Sequence, residues 1–215
     1  MELVQVGTKR AYDAIRTKIV TLELAPGAPV NEQALAEELE MPLGPVREAL
    51  KLLVHDSLVG VTPRHGLVVT EVSVPDLEQL SETRLTLEAL SAQLAARRAT
   101  GDDRAVLAAL SQELASTAVE DNRRLLELDH KFHQAVAKAA HNKYLAEALE
   151  RLFGLSQRLW YLALPRLGFL PSSVEEHLAL VEAIGRGDPE RAGELMHDHV
   201  AEFYANVRMV LGEEG

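Results

Sequence analysis

From about residue 76 onward, apolar side chains return every three to four positions, the period of a helix with one face on a core. Six such stretches follow, at about 76–99, 102–119, 121–140, 142–164, 172–186 and 188–211. Punctuation separates them: Thr100-Gly101-Asp102, Pro165, Pro171 and the run Gly185-Arg186-Gly187-Asp188-Pro189. The first 75 residues read differently. A helix over 9–24 runs into the turn Ala25-Pro26-Gly27-Ala28-Pro29, Asn31 can cap a short helix NEQALAEEL, and a third helix, PVREALKLLVHD, comes almost at once. Two β-rich runs around Pro63-Arg64-His65-Gly66 then predict a hairpin. Pro75 breaks that strand pattern and Asp76 helps start the next helix, so the boundary falls between residues 1–73 and 74–215. The expected fold is mainly α, with three helices and a hairpin followed by an all-α bundle of about six helices.

The informative polar residues are those whose helical phase puts them on apolar stripes, because a buried polar group needs a partner. On 121–140 the stripe is Leu125, Leu128, Phe132, Ala135, Val136 and Ala139. Asp129 and His133 sit together on its flank, one turn apart, while His130 falls on the other side and is expected to face solvent. On 172–186 the stripe Val174, Leu178, Val181 and Ile184 contains His177. On 188–211 Met196, Val200 and Phe203 enclose His199, and His197 turns away. Three inward histidines and one inward aspartate suit zinc, with nickel, iron or manganese as the other possibilities. Phase alone also allows each to be an ordinary hydrogen-bonded core residue. Arg84 lies on the stripe of Leu77, Leu80, Leu87 and Ala95, one turn before Glu88. It suits an internal ion pair and also the gripping of a ligand carboxylate, and the two are compatible.

Composition narrows the chemistry. The 215 residues include no cysteine, which excludes disulfides, thiolate catalysis and cysteine-held metals. A net charge of −11 argues against a broad nucleic-acid or acidic-membrane surface, so any DNA contact must be local. No signal-peptide pattern or membrane-length apolar run is present, and a cytoplasmic protein is expected.

Two short helices joined by a tight turn, with Arg47 and Lys51 on the outer face of the second, fit the description of a helix-turn-helix. A small helical domain with a solvated charged face fits the spacing equally. The residues say more. Leu24, Pro26, Gly27, Val30, Glu32, Leu35, Ala36, Glu37 and Leu39, then Pro45-Val46-Arg47-Glu48-Ala49-Leu50 and Arg64-His65-Gly66, resemble the winged helix-turn-helix of the GntR family of bacterial transcription regulators. The resemblance implies operator DNA as partner, with Arg47 at a base edge and Arg64 and His65 of the wing at phosphate or minor groove. Lys51 is a candidate for phosphate or merely for solvent. The chain departs from the family at Glu40-Met41-Pro42-Leu43-Gly44, where a turn glycine, a capping serine and an Arg-Thr pair are usual. Residues 1–75 also hold 7 Lys+Arg against 10 Asp+Glu, so modest DNA affinity is expected.

The later helices resemble the effector domain of the FadR-like branch of that family. The carriers are Asp129-His130-Lys131-Phe132-His133, Ala139-Ala140-His141-Asn142, Glu176-His177 and Met196-His197-Asp198-His199, with Arg84 and Glu88 in a helix of matching pattern. This resemblance implies one divalent ion held by Asp129, His133, His177 and His199, with Arg84 aimed at a small organic acid. Asn142 is expected to cap the following helix. The whole then reads as a homodimeric regulator whose DNA binding is controlled by a metal-bound carboxylate effector. Two alternatives stay open: a metal-dependent enzyme built on the same residues, though no separate general acid or base is evident, and a dimer whose DNA binding has decayed.

Overall fold

The computed structural model describes residues 2–64, 66–71, 73–118, 120–167 and 172–212. Among these are nine helices and one two-stranded hairpin, which divide into two compact units. One comprises Met1–Ser73 together with Gly154–Leu162, the other Val74–Phe153 with Ala163–Gly215.

In the first unit, α1 (Glu2–Val20) packs on α3 (Leu43–His55), with α2 (Glu32–Glu38) between them in sequence. Ile15 and Ile19 of α1 meet Val46, Leu50 and Leu53 of α3 in one buried cluster. The first helix begins and ends earlier than the predicted 9–24. Leu22 turns left-handed at φ 63°, and Leu24 N–H reaches back to Lys18 O at 2.9 Å, which closes the helix before Pro26. Asn31 caps α2 as expected, its Oδ1 accepting from Gln33 N and Ala34 N at 3.0 and 3.1 Å. That helix ends in a Schellman motif: Met41 N–H bonds Ala36 O at 2.9 Å and Glu40 N–H bonds Glu37 O at 3.2 Å. Glu40 therefore takes φ 52°, where glycine is the usual residue. Pro42 precedes α3 with no side-chain cap.

The hairpin pairs β1 (Val59–Thr62) with β2 (Gly66–Val69) antiparallel, from Val59 opposite Val69 to Thr62 opposite Gly66. Residues 27–30 add a short third edge, since Val30 N–H bonds Leu67 O and Val69 N–H bonds Ala28 O at 2.8 and 2.9 Å. Gly27 makes this possible. It sits at φ 76° in the turn after Pro26, and a Cβ there would stand 2.6 Å from a Glu71 oxygen.

The second unit is helical: α4 (Val74–Arg98), α5 (Gly101–Ser116), α6 (Asn122–Ala139), α7 (Lys143–Leu167) apart from its stretch Gly154–Leu162, α8 (Ser172–Arg186) and α9 (Pro189–Gly212). α4 lies along α9 and also meets α6 and α8. Pro75 opens α4 from within its first turn, where its missing N–H costs nothing, rather than only ending the hairpin. Pro165 does not end α7, which runs two residues further although proline has no N–H to bond the carbonyl four residues back. On α8 the buried side is Ser173, His177, Leu180, Ala183 and Ile184, with Leu178 46% exposed, so the predicted stripe was one position out of phase. Apolar residues at 174, 178, 180, 181 and 184 satisfy two phases, and packing chooses between them. Asn142 does cap α7, Oδ1 accepting from Leu145 N at 3.3 Å.

Candidate metal centre

α6 presents Asp129 and His133 one turn apart, α8 presents His177 and α9 His199, all four buried within the helical unit. One donor atom from each lies within 4.8 Å of every other. His133 Nε2 faces His199 Nε2 at 3.2 Å. Asp129 Oδ1 is 3.4 Å from His177 Nε2 and 3.9 Å from both other Nε2 atoms. Two donors each ~2.1 Å from one ion at the tetrahedral angle stand roughly 3.4 Å apart, so these separations fit a single divalent ion. Both ring nitrogens of His177 are buried without a hydrogen-bond partner, an arrangement that costs free energy unless something accepts a lone pair.

The electrostatics are those of a buried polar cluster. Burial, then the adjacent His199 and His133, push His177 well below the ordinary imidazole pKa. Burial also opposes charge on His133, but the carboxylates of Glu88 and Asp129 outweigh it and raise its pKa. Glu88, desolvated yet flanked by His133 and Arg84, is held down at about 2. The hydrogen bond to His199 lowers Glu176.

Arg84 is 3% exposed, donates to Glu88 at 2.6 Å and lies 4.7 Å over the Phe153 ring. This position fits the internal ion pair, which is compatible with a second role towards a ligand carboxylate. It is Glu88, not Arg84, that lines a neighbouring cavity of about 290 Å³, together with His133, Ala137, Leu149, Phe153 and the exposed Lys138. His130 is not solvent-facing as its phase suggested. It stacks on Phe153 at 4.4 Å, because α7 covers that flank of α6. His197 is exposed.

In the first unit Arg47 and Lys51 are exposed on α3 as their phase requires, each already ion-paired: Arg47 Nε with Glu32 at 2.7 Å and Lys51 with Glu48 at 2.7 Å. Arg64 is exposed in the hairpin turn, and His65 lies outside the described residues. Sequence reasoning did not find Glu32 as the partner of Arg47, nor Glu88 and Glu176 as partners of the inward histidines. Only the i,i+4 spacing of Arg84 and Glu88 carried a local signal. Among the described residues no helix is long and apolar enough to cross a membrane.

Comparison with known proteins bears on both units. The family of bacterial regulatory proteins, gntR family, matches residues 8–69, and the FCD domain matches residues 79–202. The HTH-type transcriptional repressor RspR of Escherichia coli (strain K12) is 25% identical over 209 residues, covering 95% of this chain and 90% of its own. The HTH-type transcriptional regulator BphR of Paraburkholderia xenovorans (strain LB400) is 30% identical over 206 residues, covering 92% and 83%. The solved structure of E. coli McbR/YncC superposes with a TM-score of 0.82 at 22% identity, over 97% of this chain and 99% of that one. RspR and BphR are named as transcription regulators, which favours regulation over the metalloenzyme alternative, and the McbR/YncC structure shows the same fold.

Proposed function

Since this chain belongs to the GntR family of bacterial transcription regulators, with an FCD domain following its DNA-binding helix-turn-helix, we propose that a divalent ion and a small carboxylate control its hold on operator DNA. Residues 1–73 read the operator, as one half of a homodimer on a roughly two-fold symmetric site, and residues 74–215 bind the effector and dimerise. Arg47 reads a base edge, with Arg64 and His65 on the backbone or minor groove and Lys51 on phosphate.

The observation that carries the reading is the convergence of Asp129 Oδ1 with the Nε2 atoms of His133, His177 and His199 at separations suited to one ion. Zinc suits this nitrogen-rich set best, and nickel, iron or manganese are compatible with it. When bound, the ion would supply Lewis acidity towards a carboxylate oxygen taken up in addition to the four protein donors. The adjacent cavity of about 290 Å³ has apolar walls at Ala137, Leu149 and Phe153 for the body of the acid, and Lys138 offers a second cation. Ligand and ion favour one arrangement of the DNA-binding units over another, which changes operator affinity by population shift.

Elemental analysis of the purified protein, with DNA binding measured before and after chelation and with a panel of small carboxylic acids, tests this reading. About one equivalent of metal per chain, lost in His177→Ala, and an acid that changes operator affinity are expected. A protein that takes up no zinc, nickel, iron or manganese and whose DNA binding ignores every acid would sink it.

A further inference from the structure

Two carboxylates outside the four candidate ligands face the far sides of two of the imidazoles. Glu176 Oε2 lies 2.6 Å from His199 Nδ1, and Glu88 Oε2 lies 3.2 Å from His133 Nδ1. A carboxylate accepts and does not donate, so each Nδ1 carries the hydrogen and donates it. When both imidazoles are neutral, as metal ligation requires, that one N–H leaves each Nε2 a bare lone pair. Those two Nε2 atoms face each other at 3.2 Å, with Asp129 Oδ1 3.9 Å from each. Three acceptors gathered in a buried space repel unless a positive charge, either a metal ion or a proton shared by the two Nε2 atoms, stands among them.

We propose that Glu176 and Glu88 are positioning residues for the metal centre: each fixes the tautomer and ring plane of one histidine, so that its Nε2 is delivered to the ion. A carboxylate behind an imidazole also strengthens it as a donor. The inference rests on the metal reading above and adds to it the groups that make the donors competent.

The two do not hold their rings alike. Glu88 is 1% exposed, and its other oxygen accepts from Arg84 at 2.6 Å. It is pinned on both sides, so the His133 ring has one available orientation. Glu176 is 26% exposed and stands one residue before His177, so one short stretch of α8 supplies both a ligand and the support of a ligand on α9. His177 has no such support. Neither of its ring nitrogens has a hydrogen-bond partner, and its ring is held by packing, with Phe132 4.2 Å away. The histidine on α8 is thus oriented by the core, and those on α6 and α9 by carboxylates.

Zinc affinity, measured by competition with a chromophoric chelator, tests this in full-length protein. Glu176→Ala is expected to weaken zinc roughly 10–100-fold, the range found when outer carboxylate partners are removed. Glu176→Gln, whose amide oxygen still accepts the Nδ1 hydrogen, should recover a large part of that loss. The unfolding midpoint of the chelator-treated proteins should move little between the two variants, which separates positioning from structural damage. Glu88→Gln has one amide oxygen for two donors and turns its NH2 towards either Arg84 or His133, so it should weaken zinc relative to wild type. Wild-type protein that binds zinc, with both Glu176 variants binding equally well, would overturn the positioning role and leave the metal reading intact. Wild-type protein that binds no zinc overturns both.

Discussion

Arg84 shows how a single residue resists assignment from sequence. Its phase said that it points inward, and the structure adds that Glu88 meets it there at 2.6 Å with both side chains almost wholly buried. Removing one member of such a pair strands the other charge, so Arg84→Ala should cost roughly 3–5 kcal/mol in denaturant unfolding. Replacing both by apolar residues of similar volume should cost much less. Asp103 makes the opposite kind of contribution, at the surface. It closes a capping box with Thr100 and meets His141 Nε2 at 2.9 Å, and these partners, Thr100 first, hold its pKa at about 2 against an ordinary 3.8. A lowered carboxyl pKa stabilises the fold above about 3.8, and that contribution disappears as pH falls towards 2. Asp103→Asn should therefore flatten stability against pH between those limits.

At the scale of elements, the turn between α2 and α3 is where this chain departs from the family it resembles, and the backbone keeps the family's geometry without the usual residues. Glu40 stands at φ 52° as the left-handed residue of a Schellman motif. A non-glycine residue there costs on the order of 1 kcal/mol, and Glu40→Gly should return about that much stability. Pro42 leaves α3 without a side-chain cap, so Pro42→Ser should add roughly 1 kcal/mol by supplying an oxygen to the free N–H groups of the first turn. Thermal or urea unfolding reads both. If neither substitution stabilises, the turn is held by its neighbours more tightly than its own geometry suggests. The motif also explains why Met41 packs on the core although it sits in a turn: the bond from Met41 N–H to Ala36 O folds it back over α2.

For the whole molecule, charge decides how DNA is approached. A chain of net charge −11 gains little from long-range attraction, so binding must come from a few local contacts. Arg47 is ion-paired with Glu32 of α2, a contact that Arg47 must exchange to reach a base. Arg47→Ala should cost about 1–3 kcal/mol on the preferred operator and relax selection at one base pair, as read by binding to a panel of point-mutated duplexes. Lys51→Ala should instead weaken all duplexes alike and make the salt dependence shallower by about one unit of log–log slope. An Arg47 variant that loses affinity evenly across the panel would move this residue from base reading to phosphate contact.

The sequence by itself determined what is local and periodic. Hydrophobic period located the helices of the bundle to within a few residues, the Asn31 cap and the Gly27 turn were legible as residue chemistry, and phase put Asp129, His133, His177 and His199 inward. It failed where two phases were both apolar, as on α8, and where proline stood near a helix end, at Pro75 and Pro165. Helical phase could not show that three helices bring their polar residues to one point, which the family resemblance implied and the structure places, and only the tertiary structure decided that Glu88 and Glu176 stand behind two of the rings and that His130 stacks on Phe153 of α7. The physical reason is distance along the chain. His133 and His199 are 66 residues apart, and no periodicity within either helix encodes the 3.2 Å between their rings, which is set by how whole helices pack.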